Sequence, residues 1–302
     1  MDHIWAPEEH HDIHRIAAAV EGPIGDLMSV LFPYRDKYIG HRLLDRIIHR
    51  IEQKGSYETP REWFETKEYD TYMDYFTRKL SPSKEDEIKT GLRGLSMCIP
   101  CECKIEAIDT LDNADKIINL KESPVKMHED MLALGIDATG MSFIDMKLFY
   151  SYYHRIHSPV KGSITNVTFI GCDSPLFGTN STWIVEMECN GGKLYMILVG
   201  ESNIQDFDFK IKEGEVRMFE EIGNFTWGSQ VVLLYDPICF GQILVAEEEK
   251  YFVGESAMTG KELITHGGYG ADPIDTLVPN VPVSHNYADT RTDFPGNLGF
   301  GK

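Results

Sequence analysis

The chain has 302 residues, of which 42% are hydrophobic and 25% are charged, and this length can bury a substantial core without disulfide bridges. Lysine and arginine together number 29 against 48 aspartates and glutamates, so the formal net charge is -19. This surplus of negative charge argues against nucleic acid as a partner and against tight docking on an anionic lipid surface.

Apolar runs along the chain are short. The longest, residues 16–20 and 231–235, end quickly in charge, proline or glycine, whereas a membrane-spanning helix needs roughly 20 apolar residues. Residues 1–4 lack the basic region and the hydrophobic segment of a secretory signal. We therefore expect a cytoplasmic protein without a strong membrane anchor.

The N-terminal part of the chain has helical periodicity. Residues 8–53 carry apolar side chains at three- and four-residue spacing, with a break at Gly22 and Pro23, and a second helical stretch covers residues 63–80. The first stripe consists of Ile13, Ile16, Ala17, Val20, Leu43, Leu44, Ile47, Ile48 and Ile51. Residues 1–95 are therefore predicted to form an N-terminal helical region.

From residue 97 the pattern changes to short apolar runs separated by turn-forming residues, which is typical of β-strands. The clearest runs are 164–170, 183–187, 194–199 and 231–234. We predict an α+β protein in which the helical region packs on a β-rich core of mostly antiparallel sheets, residues 96–266. The remaining residues, 267–302, lack periodicity and are predicted to form an irregular C-terminal tail.

Two groups of residues have spacings that metal sites also use: His10, His11 and His14 on the first helix, and Cys98, Cys101 and Cys103 before the first strands. A structural zinc site needs four ligands, and no second cysteine pair follows the first. We interpret the histidines as a solvated helix end and the cysteines as reduced, buried thiols. The sequence therefore predicts no metal site.

Two separated motifs carry the strongest functional signal. Residues 225–230 read Phe-Thr-Trp-Gly-Ser-Gln and run directly into an apolar strand, and residues 153–162 read Tyr-His-Arg-Ile-His-Ser-Pro-Val-Lys-Gly. In this order they resemble the phosphatidylserine decarboxylase family. Similar matches at 72–80, 99–104 and 120–123 extend the resemblance over roughly residues 72–260.

The resemblance implies that the chain cuts itself between Gly228 and Ser229. In this family the serine hydroxyl attacks the preceding carbonyl to form an ester, and β-elimination then releases the N-terminal chain and leaves dehydroalanine, which hydrolyses to a pyruvoyl group. The cofactor is thus a pyruvoyl group derived from Ser229. It binds the amine of a substrate as a Schiff base and accepts electrons when the carboxylate leaves.

The resemblance also implies roles for three further residues. His157 is the general base of self-cleavage, Glu102 orients it, and His154 returns a proton to the substrate carbon after decarboxylation. Most family members have aspartate at the Glu102 position, while the soluble L-tryptophan decarboxylase-like branch has a similar glutamate. Position 230 is glutamine here, whereas serine or threonine is usual. On an extended strand, His154 and His157 would point to opposite faces, so both reach one site only through a turn.

Two other functions fit the same residues. Ser229, His157 and Glu102 could form a hydrolase triad, although the Gly-x-Ser-x-Gly motif is absent because Trp227 and Val231 occupy the flanking positions. Alternatively, the chain is a non-catalytic relative that binds a ligand.

Within the decarboxylase interpretation, the acidic charge favours a small, soluble amino-acid substrate, for which the Glu102 resemblance suggests an aromatic side chain. The alternative substrate is the aminophospholipid phosphatidylserine, which would be converted to phosphatidylethanolamine. The resemblance further implies a homodimer.

Overall fold

Helices dominate the first 91 residues. The structure is a computed structural model that describes residues 7–55, 59–66, 68–112, 115–121, 123–189, 192–200, 207–240 and 243–259. The α-helices of the described residues are α1 (Pro7–Ala19), α2 (Ile24–Leu31), α3 (His41–Gly55), α4 (Tyr72–Phe76), α5 (Pro82–Gly91) and, later in the chain among the strands, α6 (Met127–Ala133). None of these helices has both the length and the apolar character that crossing a bilayer demands.

Strands make up most of the chain from residue 95 onward. In chain order they are β1 (Leu95–Cys98), β2 (Cys103–Thr110), β3 (Ile117–Leu120), β4 (Ser123–Lys126), β5 (Ser142–Leu148), β6 (Arg155–His157), β7 (Gly162–Ile170), β8 (Thr182–Cys189), β9 (Gly192–Val199), β10 (Phe207–Phe209), β11 (Gly214–Val216), β12 (Glu221–Phe225), β13 (Ser229–Tyr235), β14 (Lys250–Tyr251) and β15 (Ser256–Thr259). The predicted runs at 164–170, 183–187, 194–199 and 231–234 lie within β7, β8, β9 and β13.

An antiparallel sheet of eight strands forms the centre of the fold, in the order β11-β7-β8-β9-β13-β5-β2-β14. Strand β13 lies between β9 and β5 and pairs with both along nearly its whole length. Smaller antiparallel sheets contain β10-β12-β6, β1-β15 and β3-β4. The strand that begins with Ser229 is therefore an interior strand of the largest sheet.

Both faces of β13 are buried, which explains the apolar run 231–235 that follows Ser229 and Gln230. Val231 and Leu233 point into a core shared with α1, α2, α3 and α4, whereas Val232 and Leu234 point into a second core with β3, β4 and α6. Successive side chains on a strand alternate between faces. Ser229, two residues before Val231, therefore lies on the face covered by the N-terminal helices.

The predicted helical stretch at 63–80 is shorter in the structure. Only α4 is α-helical there, and Leu80 instead forms an antiparallel bridge with Phe64. Ser81 is extended, with ψ of 148°, because proline disfavours a helical conformation in the residue before it, and Pro82 opens α5. The break predicted at Gly22 and Pro23 is present between α1 and α2.

The predicted fold class is confirmed: helices precede a β-rich core with antiparallel sheets. Residues 1–262 make up one compact unit, and α1–α4 share their core with the central sheet. The proposed boundary at residues 95–96 stays a prediction. The predicted tail, residues 267–302, lies outside the described residues.

The two groups of residues weighed as metal ligands have ordinary surroundings. Cys98, Cys101 and Cys103 are buried free thiols, and burial raises the pKa of Cys98 to about 12. His14 is exposed, and the side chains of His10 and His11 lie outside the described residues. In the part of the chain that the structure describes, no cluster of three or more metal-ligating side chains occurs.

Candidate active site

The two motifs meet through a pair of short strands. Strand β6 carries the second motif and pairs with β12, so that His157 lies opposite Glu221 and Arg155 opposite Asn224. The amide of Phe225 also donates a hydrogen bond to the carbonyl oxygen of His154, 3.0 Å away. Because β12 leads directly into residues 226–229, this pairing brings the histidine segment against the Gly-Ser step.

Ser229 opens β13 and is almost completely buried, with 4% of its surface exposed. Its hydroxyl oxygen has no hydrogen-bond partner among the described residues. Buried hydroxyls are normally paired, since leaving one unsatisfied costs about 1–3 kcal/mol. An unpaired serine hydroxyl at the start of an otherwise apolar strand is therefore a candidate for chemistry.

An aromatic cluster covers the Gly-Ser step. Trp227 contacts Phe32 edge-on with a centroid distance of 4.9 Å, and Tyr72 and Tyr150 lie at 5.7 and 5.9 Å. Phe76 stacks on the same indole at 6.2 Å. Phe32 belongs to the turn after α2 and Tyr72 and Phe76 to α4, so the N-terminal helices exclude solvent from the residues before Ser229.

His154 lies beside this cluster and is fully buried. Its ring stacks on Phe76 at a centroid distance of 3.7 Å, and its Nδ1 donates to the carbonyl oxygen of Tyr152 at 2.8 Å. A carbonyl only accepts, so Nδ1 holds the proton of the neutral ring and Nε2 is an acceptor. This Nε2 has no partner within the described chain.

The pKa of His154 lies well below its ordinary value. Burial is the main cause, and the positive charges of Arg78 and Lys121 lower it further, against the opposing hydrogen bond to Tyr152. His154 is therefore neutral near pH 7, and an imidazolium at this position would give up its proton readily.

His157 is also buried, but both of its ring nitrogens are engaged. Its ring lies between Phe219, at 4.2 Å, and Tyr153, at 5.8 Å. Nδ1 donates to the Phe219 carbonyl oxygen at 3.0 Å, so Nε2 accepts from the Tyr153 hydroxyl at 2.9 Å. Burial lowers the pKa of His157 to about 4, with the Phe219 hydrogen bond opposing the shift.

Glu102 reaches His157 through Tyr153. Its Oε2 accepts a hydrogen bond from the Tyr153 amide at 2.8 Å, while the His157 amide donates to the Pro100 carbonyl oxygen at 2.9 Å. Burial raises the pKa of Glu102 and outweighs the opposing effect of Arg78. The His157 ring hydrogen-bonds to Tyr153 and Phe219, so the structure connects Glu102 with this ring through one intervening residue.

Arg78 lies within residues 72–80, one of the segments that carry the family resemblance, but the resemblance implied no role for it. Its guanidinium is buried, donates to the carbonyl oxygens of Tyr75 at 3.0 Å and Ser151 at 2.6 Å, and affects the pKa of both Glu102 and His154. It is therefore a buried cation common to the two predicted site residues. Its place in the matching segment 72–80, which ends in Arg78-Lys79-Leu80, was the available signal.

A wide surface cleft among the described residues lies away from this cluster. It has a volume of about 1870 Å³, and its lining includes Lys161, Glu188 and Arg217 but neither Ser229 nor the predicted histidines. The candidate active site is instead the closed, aromatic-lined region between β6, β13 and α4.

Comparison with known proteins agrees with the two motifs. The family model for phosphatidylserine decarboxylase matches residues 72–259, which is more than half of the chain. The chain belongs to the phosphatidylserine decarboxylase family. Members of this family are pyruvoyl-dependent decarboxylases, so the protein is an enzyme of that class, with a pyruvoyl cofactor derived from a serine.

Relatives named as phosphatidylserine decarboxylase proenzymes align over most of their length. The protein of Anoxybacillus flavithermus is 29% identical over 209 residues, which cover 61% of this chain and 74% of the relative. That of Bacillus thuringiensis (strain Al Hakam) is 28% identical over 215 residues, covering 66% and 78%. The family favours a decarboxylase over the hydrolase and the non-catalytic protein that the sequence left open.

The residues around Ser229 fit a pyruvoyl group. The Ser229 hydroxyl and His154 Nε2 are both buried and unpaired within the described residues, and both border the aromatic cluster. Buried polar atoms normally have partners. A ketone at position 229 would replace this hydroxyl, and the unpaired Nε2 of His154, an acceptor in the neutral ring, would be available to bind a substrate N–H or, when protonated, to donate to the ketone.

Proposed function

We propose that the chain cuts itself between Gly228 and Ser229 and then decarboxylates phosphatidylserine to phosphatidylethanolamine. The observation that carries the first part is the buried hydroxyl of Ser229, which opens β13 shortly after β12 and has no hydrogen-bond partner among the described residues. The second part is supported by the relatives, whose names specify phosphatidylserine decarboxylase proenzymes. A pyruvoyl group supplies an electron sink for the carboxylate-leaving step.

For the substrate, the relatives favour the aminophospholipid over the free amino acid that the acidic composition suggested. A net charge of -19 disfavours strong attraction to anionic lipid, but decarboxylation needs only contact with a single headgroup. We therefore propose that the protein contacts the bilayer surface transiently, and that its net charge does not attract it to anionic lipid.

For self-cleavage we propose that His157 Nε2 takes the proton of Ser229 Oγ, so that the oxygen can bond to the Gly228 carbonyl carbon. The peptide C–N bond then breaks, and the nitrogen takes up the proton. The link from Glu102 through Tyr153 to His157 supports this assignment, because it fixes the imidazole between two backbone-anchored partners. To act as the base, His157 Nε2 gives up the hydrogen bond from the Tyr153 hydroxyl and accepts one from the Ser229 hydroxyl instead.

A second assignment, the exchanged assignment, gives the role of base in self-cleavage to His154 in place of His157, and one observation favours it. His154 Nε2 is an unpaired acceptor within the described residues, whereas the same atom of His157 is occupied by Tyr153. After decarboxylation, His154 is our proposed proton donor in either case, because its low pKa makes the protonated ring a ready acid.

The cleavage is tested by intact-mass analysis of the wild-type protein beside Ser229→Ala. We expect fragments 1–228 and 229–302 from the wild type, with a pyruvoyl-blocked small fragment, and a single uncut chain from the variant. Ser142→Ala, in the neighbouring strand β5, is the matched control and should be cut normally. An uncut wild type with unmodified Ser229 would overturn the proposal.

The histidine roles are tested with His157→Gln and His154→Gln. If His157 is the base, its variant stays uncut, while His154→Gln is cut and then fails to release CO2 from substrate. The opposite pattern, with only His154→Gln uncut, would support the exchanged assignment.

The substrate is tested by incubating the cut protein with phosphatidylcholine vesicles that contain phosphatidylserine, and separately with free L-serine and L-tryptophan. Formation of phosphatidylethanolamine from the vesicles, with little CO2 from the free amino acids, is the expected result. CO2 from a free amino acid and none from the vesicles would overturn the lipid substrate while leaving the family chemistry intact.

A further inference from the structure

Gln230 follows Ser229 directly, but its side chain points to the opposite face of the sheet. Side chains alternate along β13, so Ser229 shares a face with Val231, and Gln230 shares one with Val232. The Gln230 amide therefore lies on the face of β3, β4 and α6. Any influence of Gln230 on Ser229 is exerted through the backbone and through its own partners.

The Gln230 amide makes three hydrogen bonds. Oε1 accepts from the amide of Lys121 at 2.8 Å, and Nε2 donates to the carbonyl oxygen of Asn119 at 3.0 Å and to Oδ1 of Asp145 at 2.7 Å. Gln230 is 5% exposed and Asp145 is 3% exposed. One buried side chain thus joins the start of β13 to β5 and to the segment that links β3 and β4.

Lys121 occupies that link in a conformation that needs support. Its φ is +48°, in the left-handed region that residues with a Cβ atom seldom adopt. The charge of Lys121 is also among those that lower the pKa of His154. The Gln230 hydrogen bond to the Lys121 amide therefore helps hold a cation within electrostatic reach of a predicted site residue.

We propose that Gln230 is a positioning residue for self-cleavage. It fixes the first residues of β13 against Asp145 and the 119–121 segment, and thereby holds Ser229 and Lys121 in their places around the site. This inference rests on the proposed function, in which Ser229 is the serine that reacts. The Gln230 side chain joins β13 to β5 and to the 119–121 segment. A serine or threonine side chain is too short to make all of these hydrogen bonds.

The experiment measures how fast fragment 229–302 appears during cell-free translation. Gln230→Leu keeps the size and removes the hydrogen bonds, and we expect cleavage at least about tenfold slower. Val232→Ala is the matched control, because it opens a cavity on the same face of β13, opposite Asp145, and keeps every hydrogen-bonding side chain of the network. We expect its rate to stay within about twofold of the wild type.

A double variant separates positioning from simple loss of stability. Gln230→Glu keeps an acceptor for the Lys121 amide but sets a carboxylate against Asp145, so its cleavage should be slow. Adding Asp145→Asn exchanges the amide and the carboxylate between the two positions, and we expect part of the rate to return. The unfolding free energies of the same variants are measured in the uncut Ser229→Ala background: a purely structural role predicts cleavage rates that follow these free energies, Val232→Ala included, whereas positioning predicts slow cleavage at equal stability.

The experiment distinguishes failure of the positioning role from failure of the proposed function. If the wild type is never cut, the proposed function is wrong. If the wild type is cut and Gln230→Leu is cut as fast as Val232→Ala, the positioning role is wrong. Should Gln230→Leu fail to fold, the rate of the double variant relative to Gln230→Glu decides: recovery supports the role, and equal rates overturn it.

Discussion

At the scale of single residues, the site is defined by which polar atoms have partners. His157 and His154 are both buried and neutral, but the backbone carbonyls of Phe219 and Tyr152 fix the same tautomer in each ring, with the proton on Nδ1. Each Nε2 is therefore an acceptor. His157 Nε2 accepts from the Tyr153 hydroxyl, whereas His154 Nε2 has no partner among the described residues. This difference is what the histidine variants test.

Asp145 is the residue whose ionisation is most directly coupled to the Gln230 network. Its pKa is raised to about 6, first by burial and also by Glu106, while the Gln230 hydrogen bond, the Met146 amide and Lys147 oppose the shift. The folded protein therefore binds a proton at Asp145 more tightly than the unfolded chain, whose pKa is near 3.8. The carboxylate form destabilises the fold, and this effect grows as the pH rises from about 4 to about 6.

We predict that Asp145→Asn removes this pH dependence. Relative to its parent, the variant should gain up to about 3 kcal/mol of unfolding free energy between pH 4 and pH 7, since one unit of pKa corresponds to about 1.4 kcal/mol. Urea unfolding at several pH values, with both proteins in the uncut Ser229→Ala background, measures the difference. A constant difference across this range would show that Asp145 does not titrate there.

At the scale of elements, the short helix α4 carries much of the aromatic cover. It has only five residues, yet it presents Tyr72 and Phe76 to Trp227. A helix of five residues forms few internal hydrogen bonds after its first turn, so its stability depends on the capping of its ends and on packing. Thr71 supplies a capping box: its hydroxyl accepts from the Asp74 amide at 3.1 Å, and the Asp74 carboxylate accepts from the Thr71 amide at 2.9 Å.

We predict that Thr71→Ala lowers the unfolding free energy by about 1 kcal/mol and slows self-cleavage, because the cap orients the helix that contacts His154. Ser81→Ala is the control. It removes the N-cap of α5, whose bond to the Lys84 amide is longer, at 3.4 Å, and α5 buries none of its residues. Urea unfolding and fragment formation are measured for both variants. Equal effects on cleavage would contradict a specific role for α4.

At the scale of the whole molecule, burial of neutral histidines makes the fold sensitive to acid. The pKa of His157 is about 4 in the folded protein, against 6.5 for an exposed imidazole. A depressed pKa means that the unfolded chain binds the proton first. The stabilisation is complete above about pH 6.5 and is lost as the pH falls towards 4, and His154 acts in the same direction.

We predict that His157 accounts for about 3 kcal/mol of the loss in unfolding free energy between pH 7 and pH 4. Comparing His157→Gln with its parent, both in the uncut Ser229→Ala background, isolates this contribution from that of other titrating groups. The parent should lose more stability than the variant as the pH falls. Parallel pH profiles for the two proteins would contradict the prediction.

Local patterns were sufficient to predict the helical start, the β-rich remainder and the segments that contain the site. The alternation and apolar runs of β7, β8, β9 and β13 are properties of short stretches, and so are the Gly-Ser step and the histidine segment. The length of the second helical stretch was overestimated, because the extended residue before Pro82 and the bridge at Leu80 interrupt it.

The sequence by itself determined the family, the fold class and the residues to examine, because these depend on short motifs and periodic burial. Tertiary structure alone decided which partners those residues have. Glu102 accepts from the Tyr153 amide 51 positions away, and Asp145 accepts from the Gln230 side chain 85 positions away. Contacts of this kind depend on strand register and on the faces to which side chains point, and no local pattern encodes either.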